Sequence, residues 1–345
     1  MRQYPSESVN KLLRKMAQII SIFSPTFLDW LLAIRRIYIA YLKSHGFYPS
    51  LIFPTRFTEK MQWRKLFDLN PAYSILCDKL AVRDFVRERV GQELLIPLLW
   101  FGDDPSAIPF DTLEPPYILK SSHACGHTIF VEDKALLDET AIRETARSWL
   151  AWDHGRAADE PGYVHVPQAL LVEKLLLNKD GSPPLEHKVL VFDGAARVIH
   201  SLTVSAKNRA RFASHHTADW IELPWRILQP RPAHALNPPR RLKEIVKVAE
   251  RLGASFDHVR IDLYECDDRI SVGEMTVYSH SGLHPITPDS ADFVLGAYWK
   301  IRLKWLRALW AIFARKREIR RVAAAPSLKT LAVEREVPRQ MRQSA

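Results

Sequence analysis

The chain has 345 residues, enough for one large domain or two smaller ones to bury a sizeable core. Its 47% hydrophobic and 26% charged content is ordinary for a soluble globular protein. The net charge of +10 is unevenly placed: thirteen Lys and Arg against three Glu lie between Lys300 and Ala345, a surplus equal to the whole excess.

In chain order, residues 9 to 44 have a helical period that mixes aromatic and aliphatic positions with basic ones. Within them the apolar stretch from Met16 to Ile34 is interrupted by Ser24, Pro25 and Asp29, and Arg35 and Arg36 follow. A spanning helix needs about 20 apolar residues, so this one is too broken, and nothing there reads as a cleaved signal. The Pro- and aromatic-rich FYPSLIFPTRF (47–57) marks a boundary. A helix is expected over Lys60 to Phe67, and Asn70-Pro71 opens another that passes Lys79 and continues to Val90. The Pro-rich 94–119 ends in a strand, PYILK. Residues 134 to 151 read as a helix, QALLVEKLL (168–176) as a strand, and EHKVLVFDGAARVIHSLTV (186–204) as a hairpin turning at Asp193-Gly194. A helix over 240–252 precedes a second hairpin, HVRIDLYECDDRISVGEMTVY (258–278). From Asp292 to Arg321 one long aromatic and basic helix is expected, followed by an Ala, Pro and Arg tail expected to be disordered. This irregular alternation points to an α+β fold. Cys77, Cys125 and Cys266 are odd in number and scattered, so neither a disulfide framework nor a zinc pattern follows, and a reducing, cytoplasmic compartment is expected.

Four segments carry candidate chemistry. In YILKSSHACGH (117–127), Lys120 ends a strand before a polar turn, where a lysine can hold phosphate while backbone N–H groups cover it. In LLVEKLL (171–177), Glu173 and Lys174 lie where a strand leaves the core, beside backbone able to pair with an adenine edge. In EHKVLVF (186–192), Glu186 and Lys188 share a face by period two, an acid suited to a ribose diol and a base suited to phosphate. Alone, each also reads as an ordinary surface or strand-end group.

The second hairpin is sharper. A three-residue loop, Asp267 to Arg269, sets Cys266 against Ile270 and Asp262 against Glu274. Two carboxylates whose β-carbons are then about 5 Å apart would destabilise a sheet unless they share a cation such as Mg²⁺. A two-residue turn sends them instead to opposite faces. Arg260 and Thr276 lie on the same strands.

The order of these pieces resembles the ATP-grasp superfamily. More closely, FTEKMQWRKLFDLNPAYSILCDKLAVRDFV (57–86), with its F-x-E-K-x-Q-W-x-K-L and D-K-x-x-V-R stretches, resembles the opening of the TupA-like ATP-grasp family of cell-surface polysaccharide synthesis. The likeness runs from about Phe57 to Gly282. It implies two α+β subdomains clasping nucleotide, with helical extensions at 1–52 and 291–345 around a catalytic region at 53–290. It implies Lys79 and Lys120 as phosphate-binding lysines, Glu173, Lys174 and Leu175 as the adenine segment, and Glu186 as the ribose acceptor beside Lys188. It implies Asp262 and Glu274 as magnesium ligands with Thr276 beside them, and Arg260 as the group steadying the reacting phosphate or tetrahedral intermediate, so that Arg260 and Lys120 are the catalytic side chains. The superfamily usually has Asn where Thr276 stands. The phosphate loop of relatives tends to Gly-Ser-Gly where this chain has Ala124, Cys125 and Gly126, and YSHSG (278–282) lacks a Pro often found there. Cys125 and His123 read as loop residues, not as a catalytic pair.

The activity this implies is an ADP-forming carboxylate–amine ligase that uses ATP and Mg²⁺ through an acyl phosphate, on carboxylate and amine co-substrates that include a glycan precursor. Two alternatives stand: a kinase of a hydroxyl on the same scaffold, and a non-catalytic basic binder of nucleic acid or lipid. Nucleic acid is the disfavoured partner, because a basic tail says nothing about the four segments. WKIRLKWLRALWAIFARKREIRR (299–321) spaces Trp299, Leu303, Leu306, Trp310 and Phe313 by three and four with Lys300, Lys304 and Arg307 between. Such a helix suits an anionic membrane interface and places the protein peripherally on the inner leaflet, or else packs its apolar face on the amino-terminal helix.

Overall fold

The computed structural model describes residues 25–204, 211–267 and 269–301. Its helices are α1 (Pro25–His45), α2 (Phe57–Phe67), α3 (Ala72–Cys77), α4 (Ala81–Val90), α5 (Glu139–Leu150), α6 (His154–Ala157), α7 (Leu242–Gly253) and α8 (Asp289–Tyr298). The strands are β1 (Leu98–Gly102), β2 (Tyr117–Ser121), β3 (Thr128–Val131), β4 (Leu170–Lys174), β5 (Leu185–Phe192), β6 (Ala195–Val204), β7 (Arg211–His216), β8 (Glu222–Leu223), β9 (Arg226–Ile227), β10 (His258–Cys266), β11 (Arg269–Thr276) and β12 (Ile286–Thr287). They form an antiparallel sheet in the order β1-β4-β2-β3, a larger one in the order β11-β10-β5-β6-β7-β8, and a short β9/β12 ribbon.

Period-two alternation decides what each face of the larger sheet does. Val189, Val191, Val259, Ile261 and Leu263 are buried, and Val259 pairs with Val191 and Ile261 with Val189 across β10 and β5. That apolar face lies under α7, whose Ile245, Val248, Ala249 and Leu252 complete the core. The approach is close: a β-carbon at Gly253 would come 2.5 Å from Val191. The intervening residues of β10 and β5, Arg260, Asp262, Glu186 and Lys188, therefore share the opposite face. The smaller sheet has its own core, in which Leu119, Val131, Leu170 and Val172 pack with Ile142 and Ala146 of α5 and with Ile108 and Phe110.

Helix α2, which carries the FTEKMQWRKLF stretch, is a tie between distant segments. The Glu59 carboxylate accepts the backbone N–H groups of Ser50 (3.0 Å), Thr55 (3.0 Å) and Arg56 (3.2 Å). Lys60 Nζ donates to the carbonyls of Gly296 and Trp299, both at 2.7 Å. Gln62 Nε2 donates to the carbonyls of Ser281 (2.9 Å) and Gly282 (3.0 Å). Fully buried Arg64 donates through Nη1 to the His258 (2.9 Å) and Val277 (3.1 Å) carbonyls, pairs with Asp257, and stacks 4.2 Å from the Trp299 ring. A buried cation is tolerable only when hydrogen-bonded and paired, and Arg64 is both.

The long helix expected from Asp292 to Arg321 is corrected. Helix α8 ends at Tyr298, and Trp299 leaves it in an extended conformation (φ −88°, ψ 97°). Its fully buried indole packs against Phe57 and His258 with ring centroids 5.7 and 5.0 Å away, and Nε1–H donates to Asp257 at 3.1 Å. Burying an indole with a bonded N–H outweighs one more helical turn, so Trp299 belongs to the core and not to an interfacial stripe. Residues 302–321 and the tail lie outside the described residues, as does the part of the amino-terminal helical reading before Pro25. No helix among the described residues is long and apolar enough to cross a membrane.

Candidate functional site

The β10–β11 hairpin does not turn as expected. Cys266 pairs with Arg269, not with Ile270, so two residues separate the strands. A regular ladder from that turn would put Glu274 on the wrong face. The ladder is not regular: Leu263 pairs with Val272, but Asp262 pairs with Glu274 and Arg260 with Thr276, so Gly273 is an extra residue on β11. This β-bulge restores the shared face that the shorter turn removes. Glycine is required there, because a β-carbon at Gly273 would lie 2.5 Å from the Tyr264 ring. Asp262 and Glu274 thus stand opposite each other, with Thr276 two positions along.

Around them runs a charged network. Arg260 grips Asp262 through Nε (2.7 Å) and Nη2 (2.8 Å), and Lys188 Nζ bridges Asp262 Oδ2 (2.6 Å) and Glu186 Oε1 (2.5 Å). Strand register explains the convergence, since Asp262 pairs with Lys188 and Tyr264 with Glu186. Burial alone would raise the Asp262 pKa, but the Arg260 and Lys188 charges overcome it and hold the carboxyl below its usual range. Thr276 Oγ1 is buried without a hydrogen-bond partner.

The smaller sheet contributes a second group. Buried Glu173 accepts Lys120 Nζ at 2.8 Å on one oxygen and Arg83 Nη1 at 2.7 Å on the other. Lys79, just before α4, donates through Nζ to the Ala124 carbonyl at 2.6 Å and so touches the loop between β2 and β3. One narrow cleft is lined by Lys79, Arg83 and Glu173 on one side and by Gly273, Glu274 and Met275 on the other. Of the expected residues, Lys79, Glu173 and Glu274 line it; Lys120 adjoins it through its pair with Glu173, and Asp262 through its strand pairing with Glu274. Lys174 is exposed beyond β4's buried run, and the N–H groups of Lys174 and Leu175 are bonded to the Pro97 (3.0 Å) and Pro116 (3.1 Å) carbonyls. The backbone donors of the expected adenine segment are thus engaged within the protein. His123 is likewise tied into the fold, with Nε2 3.0 Å from the Trp149 carbonyl oxygen.

Comparison with known proteins shows the family. Residues 59–300 match the TupA-like ATP-grasp family. The chain belongs to that family. Family membership accounts for the α+β ATP-grasp fold, in which two sheets bracket a cleft. Comparison with curated proteins gave no match. Among solved structures the chain is similar to the D-alanine–D-alanine ligase from Bacillus anthracis complexed with ATP, at 16% identity and a TM-score of 0.35, over 59% of this chain and 55% of that one. It is also similar to the ATP-grasp ligase PsnB complexed with a phosphomimetic variant of its minimal precursor, Mg and ADP (14% identity, TM-score 0.38, 67% of this chain and 61% of that one). A third likeness is to N5-carboxyaminoimidazole synthase from Aspergillus clavatus in complex with ADP and 5-aminoimidazole ribonucleotide (14%, TM-score 0.32, 59% and 45%). This chain thus spans little more than half of the first ligase's length.

Sequence reasoning missed two parts of the site. Arg83, which anchors Glu173, is the last residue of the D-K-x-x-V-R stretch, so its signal was in view. Gly273 had one too, because an isolated glycine inside a strand pattern marks a bulge or a close approach.

Proposed function

We propose that the protein is an ATP-dependent, ADP-forming ligase that joins a carboxylate to an amine through an acyl phosphate. The observation that carries this reading is the cleft in which Lys79, Arg83 and Glu173 of one side face Glu274 of the other, with Asp262 beside it. Neutralising a triphosphate needs cations on one wall and oxygen ligands for a metal on the other, and this cleft supplies both.

The residues fit Mg²⁺. Among the described residues no three His, Cys, Asp or Glu side chains are grouped so as to hold a metal. Two carboxylates and a hydroxyl remain, and Thr276 Oγ1 is an oxygen donor without a partner among the described residues. A hard ion that keeps waters and phosphate oxygens as ligands suits so sparse a set. When bound, Mg²⁺ at Asp262, Glu274 and Thr276 would offset charge on the transferred phosphoryl group.

Within this reading Lys120 and Lys79 hold phosphate oxygens, Glu186 accepts from the ribose, and the strand end at Glu173 to Leu175 borders the base. Lys188 steadies Asp262 until the nucleotide draws it away. Arg260 presents its guanidinium to the developing oxyanion, since Nε and Nη2 are fixed by Asp262 and Nη1 makes no hydrogen bond among the described residues. Family membership supports a role in surface polysaccharide modification with a glycan precursor as one substrate, and the basic carboxyl-terminal segment supports loose attachment to an anionic inner leaflet. The deciding experiment screens amino acids and sugar acids, singly and in pairs, for ADP release. A ligase needs two co-substrates; release with a single hydroxyl substrate would make the protein a kinase instead.

A further inference from the structure

The charged face of the larger sheet does not end at Lys188. His200 on β6 pairs with Lys188, and His215 on β7 pairs with His200. A single row of side chains therefore runs His215, His200, Lys188, Asp262, Glu274 across five strands. At about 4.8 Å per strand, His200 stands about 10 Å from Asp262. One ring nitrogen of His200, Nδ1, is 3.1 Å from Nε2 of His215. The other, Nε2, is buried and has no partner.

The neighbouring segment adds to the same place. The His280 ring lies 6.2 Å from that of His200, and Ser279 Oγ is, like Thr276 Oγ1, buried and unpaired. His280 and Ser281 hold φ of 51° and 56°, a left-handed conformation that is strained outside glycine. Helix α2 holds the turn in that shape: Gln62 bonds the carbonyls of Ser281 and Gly282, and Lys65 Nζ bonds Ser281 Oγ at 2.5 Å. Strain held in place by two buried donors, beside buried polar atoms left unpaired, is a poor way to build a core. It is a reasonable way to keep polar atoms ready for a ligand.

The charge balance says what such a place takes. Asp262 is already satisfied by Arg260 and Lys188. Burial, with the Arg260 and Lys188 charges nearby, keeps His200 and His280 uncharged. A buried place lined by neutral imidazoles and hydroxyls solvates an uncharged polar group and penalises an ion. We propose that His200 Nε2, with His280 beside it, forms the subsite for the nucleophile, and that the nucleophile enters as an uncharged amine. This rests on the ligase reading. In the step it serves, the amine nitrogen bonds to the acyl carbon while the bond from that carbon to the phosphate oxygen breaks. The proton lost by nitrogen leaves on the released phosphate as HPO4²⁻.

The test uses the full chain with ATP, Mg²⁺, a panel of amino and sugar acids, and hydroxylamine as a small nucleophile that is uncharged near neutral pH, with hydroxamate and ADP measured together. His200→Gln should raise the KM for hydroxylamine tenfold or more and leave the KM for ATP within twofold. His200→Leu, which removes the unpaired nitrogen, should lose hydroxamate formation while the ATP-induced rise in its melting temperature is kept. An unchanged hydroxylamine KM in His200→Gln, or hydroxamate formation retained by His200→Leu, would overturn the subsite and leave the ligase reading standing. A wild-type chain that forms neither ADP nor hydroxamate with any acid would overturn the ligase reading itself, and the subsite with it.

Discussion

Replacing Gly273 by alanine tests whether one bulge sets the metal face. The added β-carbon would lie 2.5 Å from Tyr264 Cε2 and 3.2 Å from Cδ2. Carbon atoms prefer about 3.5–4.0 Å, so the ring or the bulge must give by about 1 Å. Tyr264 is half-buried on β10 between its register partners Ser271 of β11 and Glu186 of β5, so its ring has neighbours on both sides. Overpacking of this kind costs about 1–3 kcal/mol, and for a folded unit of this size that is a melting-temperature loss of roughly 2–12 °C. The functional loss should exceed the stability loss. If the bulge relaxes, the strand slips by one residue beyond it, Glu274 leaves the face of Asp262, and the oxygen pair is gone. The assay is thermal unfolding with and without ATP and Mg²⁺, alongside ADP release. A ligand that binds only the native state raises its melting temperature, so the variant should melt a few degrees early and gain nothing from Mg²⁺ with nucleotide. If Gly273→Ala keeps both the wild-type melting temperature and its full Mg²⁺-dependent shift, the bulge is not what positions the carboxylates, and the assignment of Asp262 and Glu274 fails with it.

Other substitutions separate the roles. Thr276→Val removes a buried hydroxyl that has no partner, so urea unfolding should show a change within about 0.5 kcal/mol, while Mg²⁺-dependent nucleotide binding weakens several-fold by calorimetry. Arg64→Met removes a buried cation that pairs Asp257 and two carbonyls, and taking one partner from such a buried pair should cost about 3–5 kcal/mol, measured by the same unfolding. Lys120→Ala should abolish most of the ATP-induced rise in melting temperature; an undiminished rise would place the phosphate site elsewhere. Stability should also depend on pH on both sides of neutrality. His258 is buried and neutral, with its pKa pushed down to about 3 by burial and by Arg64. The unfolded chain therefore binds the extra proton, and stability should fall as pH drops below about 6.5. His154 is the opposite case: burial lowers its pKa, but hydrogen bonds to Cys125 and Glu160 prevail and raise it to about 9. Its contribution is complete below about pH 6.5 and lost as pH rises to 9, and after allowance for solvent screening it amounts to about 1–2 kcal/mol. Glu160→Gln should flatten that alkaline limb in a pH series of melting temperatures.

Much of the architecture was legible because it rests on local period. The hairpin at Asp193-Gly194, the strand ending at Lys174 and the helix near 242–253 follow from alternation, turn residues and a 3.6-residue apolar stripe. Legibility fails where a distant contact decides. Nothing within 292–321 announces that Trp299 will leave the helix, because what draws it is Phe57, Arg64 and Asp257, more than 40 residues away. The second hairpin is the more instructive case. Its face assignment came out as expected although the turn did not, because a residue added in the strand has the same effect on register as a residue added in the turn. Parity of the whole connection, not turn length, fixes which side chains meet. The same reasoning explains how the α2 motif could be read as a signature without its meaning being read. Glu59, Lys60, Gln62, Arg64 and Lys65 are spaced as helix residues, yet four of the five bind carbonyls or side chains roughly 90 to 240 positions along the chain. A stretch whose polar groups are spent on remote backbone serves the architecture and not contact with a ligand. On that account Gln62→Ala should leave α2 itself helical, free the Ser279–Gly282 turn from two hydrogen bonds, and disturb His280 before it disturbs Asp262. Loss of Mg²⁺-dependent nucleotide binding in this variant, with hydroxylamine dependence unchanged, would show that the turn serves the phosphate end of the cleft instead.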